Sequence, residues 1–194
     1  MTIQISIIEP HWNYLLALDS DLAHLSRYIE FDARNFDCFS LEIARILLAA
    51  AAECDVVAKQ LCEIVEPRCG ADNVNSYREI IVRHLPQLPA FEVIISRYGL
   101  SLQPWDEWQQ PTGVPLWWTA NNKVKHERHM HFHQATLKNV LNAFGGLFVL
   151  LLYLYRDKAK EGELVPSPQI VRAGSKHIEG VDVGSLDSGI WYNL

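Results

Sequence analysis

Residues 41–65 read LEIARILLAAAAECDVVAKQLCEIV. Apolar or small side chains recur at every third or fourth position, which predicts a single long helix with one buried face. Ser40 is a favourable N-cap residue and Pro67 cannot continue a helix, so we expect the helix to lie between them. The alanines at 49–52 would let a neighbouring helix approach closely. The predicted buried stripe comprises Leu41, Ala44, Leu48, Ala51, Ala58, Cys62 and Val65.

Helical patterns recur on both sides of this stretch. Residues 13–30 carry apolar side chains on one helical face, 76–84 are expected to form a short helix, and 134–157 a last long helix. The second half of that last helix is apolar all round, which predicts a position at the centre of a bundle. Its Gly145-Gly146 pair costs about 1 kcal/mol of helix propensity per glycine relative to alanine. Close packing against another helix would offset that cost.

The segments between and after the helices have a different composition. The runs FEVIIS and LSLQ flank Arg97-Tyr98-Gly99, which predicts a small β-hairpin. Residues 105–118 are rich in tryptophan and proline and are expected to pack as a loop against the bundle. We therefore predict an all-α protein: an up-down four-helix bundle with a small β-hairpin and loop insertion over residues 1–160. An irregular C-terminal tail is expected over residues 161–194.

Bulk properties narrow the class of protein. The chain has 194 residues, a formal net charge of −6, 49% hydrophobic residues and 21% charged residues, which is typical of a soluble globular domain. The acidic balance argues against a generic nucleic-acid coat protein but allows a local basic patch. The four cysteines form no C-x-x-C pair, which argues against a thiolate zinc site and favours a reducing compartment. The N-terminus has no signal-peptide pattern, and the apolar run at 145–155 is too short to span a bilayer comfortably. We expect a cytoplasmic protein with no membrane partner.

The most concentrated positive charge lies in residues 121–133, which read NNKVKHERHMHFH. Four histidines, two lysines and one arginine in an acidic chain raise the local concentration of anions. On a regular helix His129 would lie near both His126 and His133, and such a pair can hold a metal ion. A metal site normally needs a third protein ligand, and the neighbouring cations oppose one. We therefore expect neither a metal nor a cofactor here.

Phosphoryl chemistry without metal fits the same residues. Metal-independent ribonucleases use a histidine as general acid or base, because its unperturbed pKa lies near neutrality. A nearby cation stabilises the charge that develops on the phosphate oxygens, and the arginine fork matches phosphate geometry. The alternative is that the stretch caps the junction between two helices and that its polar side chains are simply solvated.

The helix order, together with an N-x-x-x-H segment just before the last long helix, resembles the HEPN family (higher eukaryotes and prokaryotes nucleotide-binding domains). Members of that family pair as dimers, and many are metal-independent RNases, while others bind nucleotides, RNA or partner proteins. Their signature is an arginine, four to six residues, and then a histidine, often with an asparagine directly after the arginine. In this resemblance Asn122 takes the place of the asparagine and His126 that of the catalytic histidine. Asn121 stands where the family has its arginine, and Arg128 to His133 is a literal match nearby.

Together the residues and the resemblance predict a site and a function. The candidate catalytic residues are His126, Arg128 and His133, and the candidate binding residues are Asn121, Asn122, Lys123, Lys125 and His129. The resemblance implies a homodimer that binds RNA, a nucleotide or an antitoxin-like protein, or a degenerate RNase of a stress, toxin–antitoxin or defence system. One alternative is a non-catalytic helical interaction module, favoured by the aromatic segment at 190–194. The other alternative is a histidine-coordinated metalloprotein.

Overall fold

The computed structural model describes residues 9–181 and 189–194, and this part of the chain is mostly helical. Residues 1–8, where we predicted no signal peptide, and 182–188, within the predicted tail, lie outside the described residues. The helices are α1 (Pro10–Leu25), α2 (Leu41–Val65), α3 (Val74–His84), α4 (Leu116–His131), α5 (Leu137–Leu154) and α6 (Arg156–Glu161). Short 3-10 turns fill several of the connections between them.

Two small antiparallel sheets accompany the helices. Strand β1 (Val93–Ile95) lies between β2 (Leu100–Leu102) and β3 (Arg172–Ala173), and β4 (Ile178–Val181) pairs with β5 (Ile190–Tyr192). The hairpin of β1 and β2 confirms the predicted one. The turn between its strands ends at Gly99, whose φ of 63° is in the left-handed region that glycine adopts without strain. The third strand, β3, comes from the segment predicted to be an irregular tail.

The core forms where α2 packs along α5. Ser40 caps α2 by accepting a hydrogen bond from the Ile43 backbone N–H at 3.1 Å, as predicted, and Thr136 caps α5 in the same way. Helix α5 is long and apolar enough to cross a membrane, but 78% of it is buried inside the protein, so burial at the centre of the fold accounts for its composition. The predicted stripe of α2 was wrong at Leu41, which is 74% exposed, whereas Ile43 and Ala44 of the same turn are buried.

Helix α4 differs most from expectation. We predicted a loop over residues 105–118 and assigned no separate helix to the residues that follow, whereas Leu116 opens a helix of 16 residues. The tryptophans do pack against the bundle, as expected, and Trp105, Trp108, Trp117 and Trp118 are all buried. Trp117 and Trp118 do so from the first turn of α4, where their rings face α5 and α3.

The glycine pair in α5 accommodates side chains rather than the backbone of another helix. A Cβ on Gly145 would lie 3.2 Å from the Pro104 side chain, and one on Gly146 would lie 3.1 Å from the Trp117 ring. The Trp105 indole also donates a hydrogen bond to the Gly146 carbonyl at 3.1 Å. The tryptophan-rich connection therefore approaches α5 closely at this point.

The C-terminal segment was predicted to be irregular, but its described part contains three short strands, β3, β4 and β5. Its strands pair with β1 and with each other, because its isoleucines, valines and aromatic residues suit a half-buried sheet. The Trp12 indole donates to the Pro166 carbonyl at 3.1 Å, and Tyr192 is buried edge-on against Phe148 of α5. Residues on both sides of position 160 thus share one hydrophobic core.

Candidate functional site

A groove of about 750 Å³ runs between the N-terminal half of α2 and the C-terminal half of α4. Two leucines of α2 form an apolar side, and the opposite side carries the cationic and imidazole side chains of α4. No aspartate or glutamate is among the described residues that line it. The lining residues are Leu41, Leu48, Val124, Lys125, His126, Arg128, His129 and Phe132.

The first turns of α4 orient these side chains. Trp117, Trp118 and Val124 are buried against the bundle and fix which face of the helix turns inward. Lys125 follows Asn121 by four residues, so helical spacing places both on one face of α4, and Lys125 lines the groove. Lys123 lies on another face, is exposed, and does not line the groove.

A break in α4 sets the arrangement of its basic end. Glu127 has φ −134° and ψ 44°, outside the helical region, so the helix is interrupted between His126 and Arg128. The Glu127 carboxylate accepts a hydrogen bond from His131 Nε2 at 3.1 Å, which links the residue at the break to the last turn of α4. His126, Arg128 and His129 all line the groove, even though on a regular helix Arg128 would lie well away from the face that carries His126 and His129.

The connection between α1 and α2 braces this end of the groove. The Leu137 N–H donates to the Cys38 carbonyl at 2.8 Å, and the Lys138 N–H donates to the Phe36 carbonyl at 3.1 Å. The Phe39 and Phe132 rings meet edge to face with centroids 5.4 Å apart. These contacts tie the residues just after the basic cluster to the start of α2, so both walls of the groove are held in place.

The groove continues into a second cavity of about 510 Å³, with which it shares Leu48 and Lys125. Asn121 lines that cavity, is only 7% exposed, and has a buried Oδ1 without a hydrogen-bond partner among the described residues. Asp55, Asp72 and Asn122 line it too, so this cavity, unlike the groove, carries two carboxylates. Tyr77 donates a hydrogen bond to Asp55, and burial first, with the Asp55 carboxylate second, raises the pKa of Tyr77. We call the groove and this cavity together the α2–α4 trough.

The structure brings together six of the eight site residues taken from the sequence. Lys125, His126, Arg128 and His129 line the groove, and Asn121 and Asn122 line the adjoining cavity. Lys123 and His133 line neither; His133 lies in the 3-10 turn after α4, with its ring centroid 6.3 Å from that of His131. Within one chain, His133 therefore does not join His126 and Arg128 in the groove.

Sequence reasoning missed the apolar wall of the trough. Leu41 and Leu48 of α2 were placed in the core, whereas both line the groove. No sequence signal separated Leu41 from Ile43 and Ala44, which lie in the same turn and are buried, because all three residues are apolar. Among the described residues, no group of three or more histidine, cysteine, aspartate or glutamate side chains is placed to hold a metal ion.

Comparisons with known proteins do not assign this site. No protein family, no curated protein and no solved structure matches the chain.

Proposed function

We propose that the α2–α4 trough binds single-stranded RNA or a nucleotide, with phosphate held at its basic end. The observation that carries the proposal is that Lys125, His126, Arg128 and His129 line one groove in which no described lining residue is acidic. The formal net charge of the chain is −6, so this concentration of positive charge is local rather than a property of the whole surface. Phosphate contacts supply most of the affinity of non-specific nucleic-acid binding.

The shape and chemistry of the trough suit an extended nucleotide. Arg128 offers the planar fork that matches two phosphate oxygens, and Lys125 adds a point charge beside it. Phe132 provides an aromatic surface in the same groove, on which a base can stack. The unpartnered Oδ1 of Asn121 in the adjoining cavity is an acceptor for a donor group on the same ligand.

The likeness to HEPN proteins supports the same function and bears on catalysis. His126 is the candidate general acid or base, and Arg128 is the candidate phosphate clamp in the same groove. Asn121 stands at the motif arginine's position and is buried, so no guanidinium occupies that place. We therefore favour a binding protein or degenerate RNase over a fully active enzyme.

A matched pair of lysines tests the binding function. Lys125→Ala and Arg128→Ala should each weaken the binding of a fluorescent single-stranded RNA by roughly five- to tenfold and reduce the salt slope by about 1, because each removes one phosphate contact. Lys123→Ala removes the same charge two residues away, outside the groove, and should leave the anisotropy titration unchanged. Equal losses in the Lys123 and Lys125 variants would show that only diffuse charge is sensed and would refute the site.

Cleavage is tested with a second matched pair. If the trough catalyses, purified protein cleaves RNA in EDTA, His126→Ala abolishes cleavage, and His133→Ala retains it, because His126 lines the groove and His133 does not. Binding without cleavage in the wild-type protein identifies a degenerate RNase. Cleavage that survives His126→Ala would exclude the proposed acid–base role.

A second candidate function, association with another protein chain, rests on the apolar rim of the groove. Leu41 is 74% exposed, Met130 is 65% exposed, and Phe39 is also exposed. Exposed apolar residues grouped around one groove are typical of a protein interface. We propose that a second copy of this chain or an antitoxin-like partner packs there.

Light scattering should show that the wild-type protein is a dimer and that Leu41→Glu dissociates it. Val56→Glu places the same charge on a distant turn of α2 and should leave the dimer intact. A monomeric wild-type protein would exclude the homodimer.

A further inference from the structure

The cavity that adjoins the basic groove differs from it in chemistry. This cavity, of about 510 Å³, lies between α2, the start of α3 and the first half of α4. Its volume is within the range of small-molecule sites, roughly 300 to 1,000 Å³. Two carboxylates, three asparagine amides and one lysine supply its polar lining, from Asp55, Asp72, Asn73, Asn121, Asn122 and Lys125.

The two carboxylates of this cavity are accessible, and their charges are unpaired. Asp55 and Asp72 are both exposed, so their oxygens can reach a ligand. In the part of the chain that the structure describes, no lysine, arginine or histidine side chain lies within ion-pair distance of either. Like charges repel, so these carboxylates disfavour a phosphate in the cavity. The cavity therefore favours an uncharged group that donates hydrogen bonds.

Lys125 lies where the groove and the cavity meet, because it lines both of them. A nucleotide carries its phosphate and its base on one sugar. A phosphate held by Lys125 and Arg128 in the groove would therefore leave the base within reach of the cavity. The two halves of the trough thus match the two ends of a nucleotide, with cations for the phosphate and acceptors for the base.

Asp55 is the acceptor whose position is fixed best. It follows Ala51 by four residues, so it continues along the same face of α2, and the hydroxyl of the buried Tyr77 donates a hydrogen bond to it. Asp72 lies between α2 and α3, where its Oδ1 accepts from the Asn73 amide at 2.8 Å. A site on a helix holds its geometry more precisely than one on a connection. An ionised carboxylate has about four acceptor positions, so Asp55 can still accept from a ligand with both oxygens.

We propose that this cavity reads the base of the nucleotide bound in the trough and selects guanine, an inference that rests on the binding function proposed above. On its Watson–Crick edge guanine presents two adjacent donors, N1–H and the N2 amino group, which match the two oxygens of the Asp55 carboxylate. Adenine and cytosine offer one amino group beside a ring nitrogen that only accepts, and uracil offers one N–H between two carbonyls. Asn122 accepts from Asn121 Nδ2 at 3.5 Å through its Oδ1, so its own amide nitrogen remains to donate to the guanine O6.

Base selectivity provides the first test. Anisotropy titrations of the full-length chain compare fluorescent pentanucleotide RNAs that consist of uridines and differ only at the central base. A central guanosine should bind roughly tenfold more tightly than adenosine, cytidine or uridine. A central inosine, which lacks only the N2 amino group of guanosine, should lose most of this preference.

Free nucleotides separate the two sources of the same base. GMP that binds more tightly than AMP while no RNA binds would identify a free guanine nucleotide as the ligand and would support the cavity. Equal affinity for all the pentanucleotides overturns guanine selection but leaves RNA binding in place. Absence of binding to every RNA and to GMP overturns both proposals.

A matched pair of aspartates provides the second test. Asp55→Asn keeps the shape of the side chain and an acceptor for Tyr77, but it replaces one acceptor oxygen with a donor, so the preference for guanosine over adenosine should fall from roughly tenfold to less than about twofold. This ratio reports base reading, because a general change in charge alters the affinity for both RNAs equally. Asp157→Asn removes the same charge from an exposed aspartate outside the trough and should retain the full preference. An unchanged preference in Asp55→Asn, or an equal loss in both variants, overturns the assignment of Asp55.

Discussion

Asp19 is a buried carboxylate on α1, 2% exposed. Its oxygens accept hydrogen bonds from the backbone N–H groups of Gln169 at 2.7 Å and Ile170 at 2.9 Å. Burial raises the pKa of Asp19 above its ordinary value of 3.8, and the two hydrogen bonds only partly oppose this effect. One side chain therefore joins α1 to the C-terminal segment, and its protonation contributes to the stability of the folded state.

We expect Asp19→Asn to destabilise the protein by about 2 kcal/mol at pH 3.5, because the amide NH2 group only donates and would face a backbone N–H, whereas the hydroxyl oxygen of the protonated carboxyl can accept from it. The cost should depend on pH. A raised folded-state pKa means that the folded state binds more protons, so the wild-type advantage is fully present below 3.8 and is lost as the pH rises through the folded-state pKa. Urea unfolding of both proteins from pH 3.5 to 8 measures this difference. A difference that grows with pH would contradict the assignment.

At the same scale, the sequence identified most of the basic cluster but not the direction in which each side chain points. Lys123 and Lys125 are the same residue type two positions apart, and they differ in the face of α4 on which they lie. Lys125 lines the groove and Lys123 does not. Glu127 has backbone angles that no sequence pattern indicated, and this break places His126 and Arg128 along one groove. The sequence pattern could not predict this local backbone geometry, because tertiary contacts set it.

At the scale of elements, α5 is sensitive to any added volume at Gly146. A Cβ there would lie 3.1 Å from the Trp117 ring and 3.4 Å from the Trp105 ring. Neither ring moves easily, since the Trp117 indole donates to the Pro104 carbonyl at 2.8 Å and the Trp105 indole donates to the Gly146 carbonyl.

We therefore expect Gly146→Ala to destabilise the protein by about 1 to 2 kcal/mol, with the strain of overpacking exceeding the helix-propensity gain of about 1 kcal/mol. Thermal and urea unfolding followed by circular dichroism and tryptophan fluorescence measure the change. A more stable variant would mean that the tryptophan cluster shifts to accept the methyl group.

A helix could be predicted from the sequence when the signals that determine it lie within or next to the helix itself. Helix α2 was predicted within a residue or two because its N-cap, its periodicity and the proline after it are all local signals. Helix α4 was missed because it begins after Pro115 with two tryptophans and carries a polar run with little apolar periodicity. Its helical state depends on burial of Trp117 and Trp118 against the bundle, which is a tertiary effect.

At the scale of the whole molecule, the C-terminal segment completes the core. A chain that ends at Glu161 would lack β3 and would uncover Trp12 and Phe148, which now contact Pro166 and Tyr192. We expect residues 1–161 alone to be strongly destabilised and to bind a hydrophobic dye, whereas residues 1–194 should unfold in one cooperative transition. Calorimetry and dye fluorescence on both proteins measure this. An unchanged midpoint for the short form would show that residues 1–160 form an independent bundle.

The hydrogen bonds from Gln169 and Ile170 to Asp19 have a consequence for the order of folding during synthesis. The partners are about 150 positions apart along the chain. While the ribosome is still making α5, the carboxylate on α1 has no backbone donors to meet it, and a bare charge disfavours closure of the apolar surface around it. The nascent helices can form early, but native packing has to wait until the last segment emerges, and contacts of such long range slow folding.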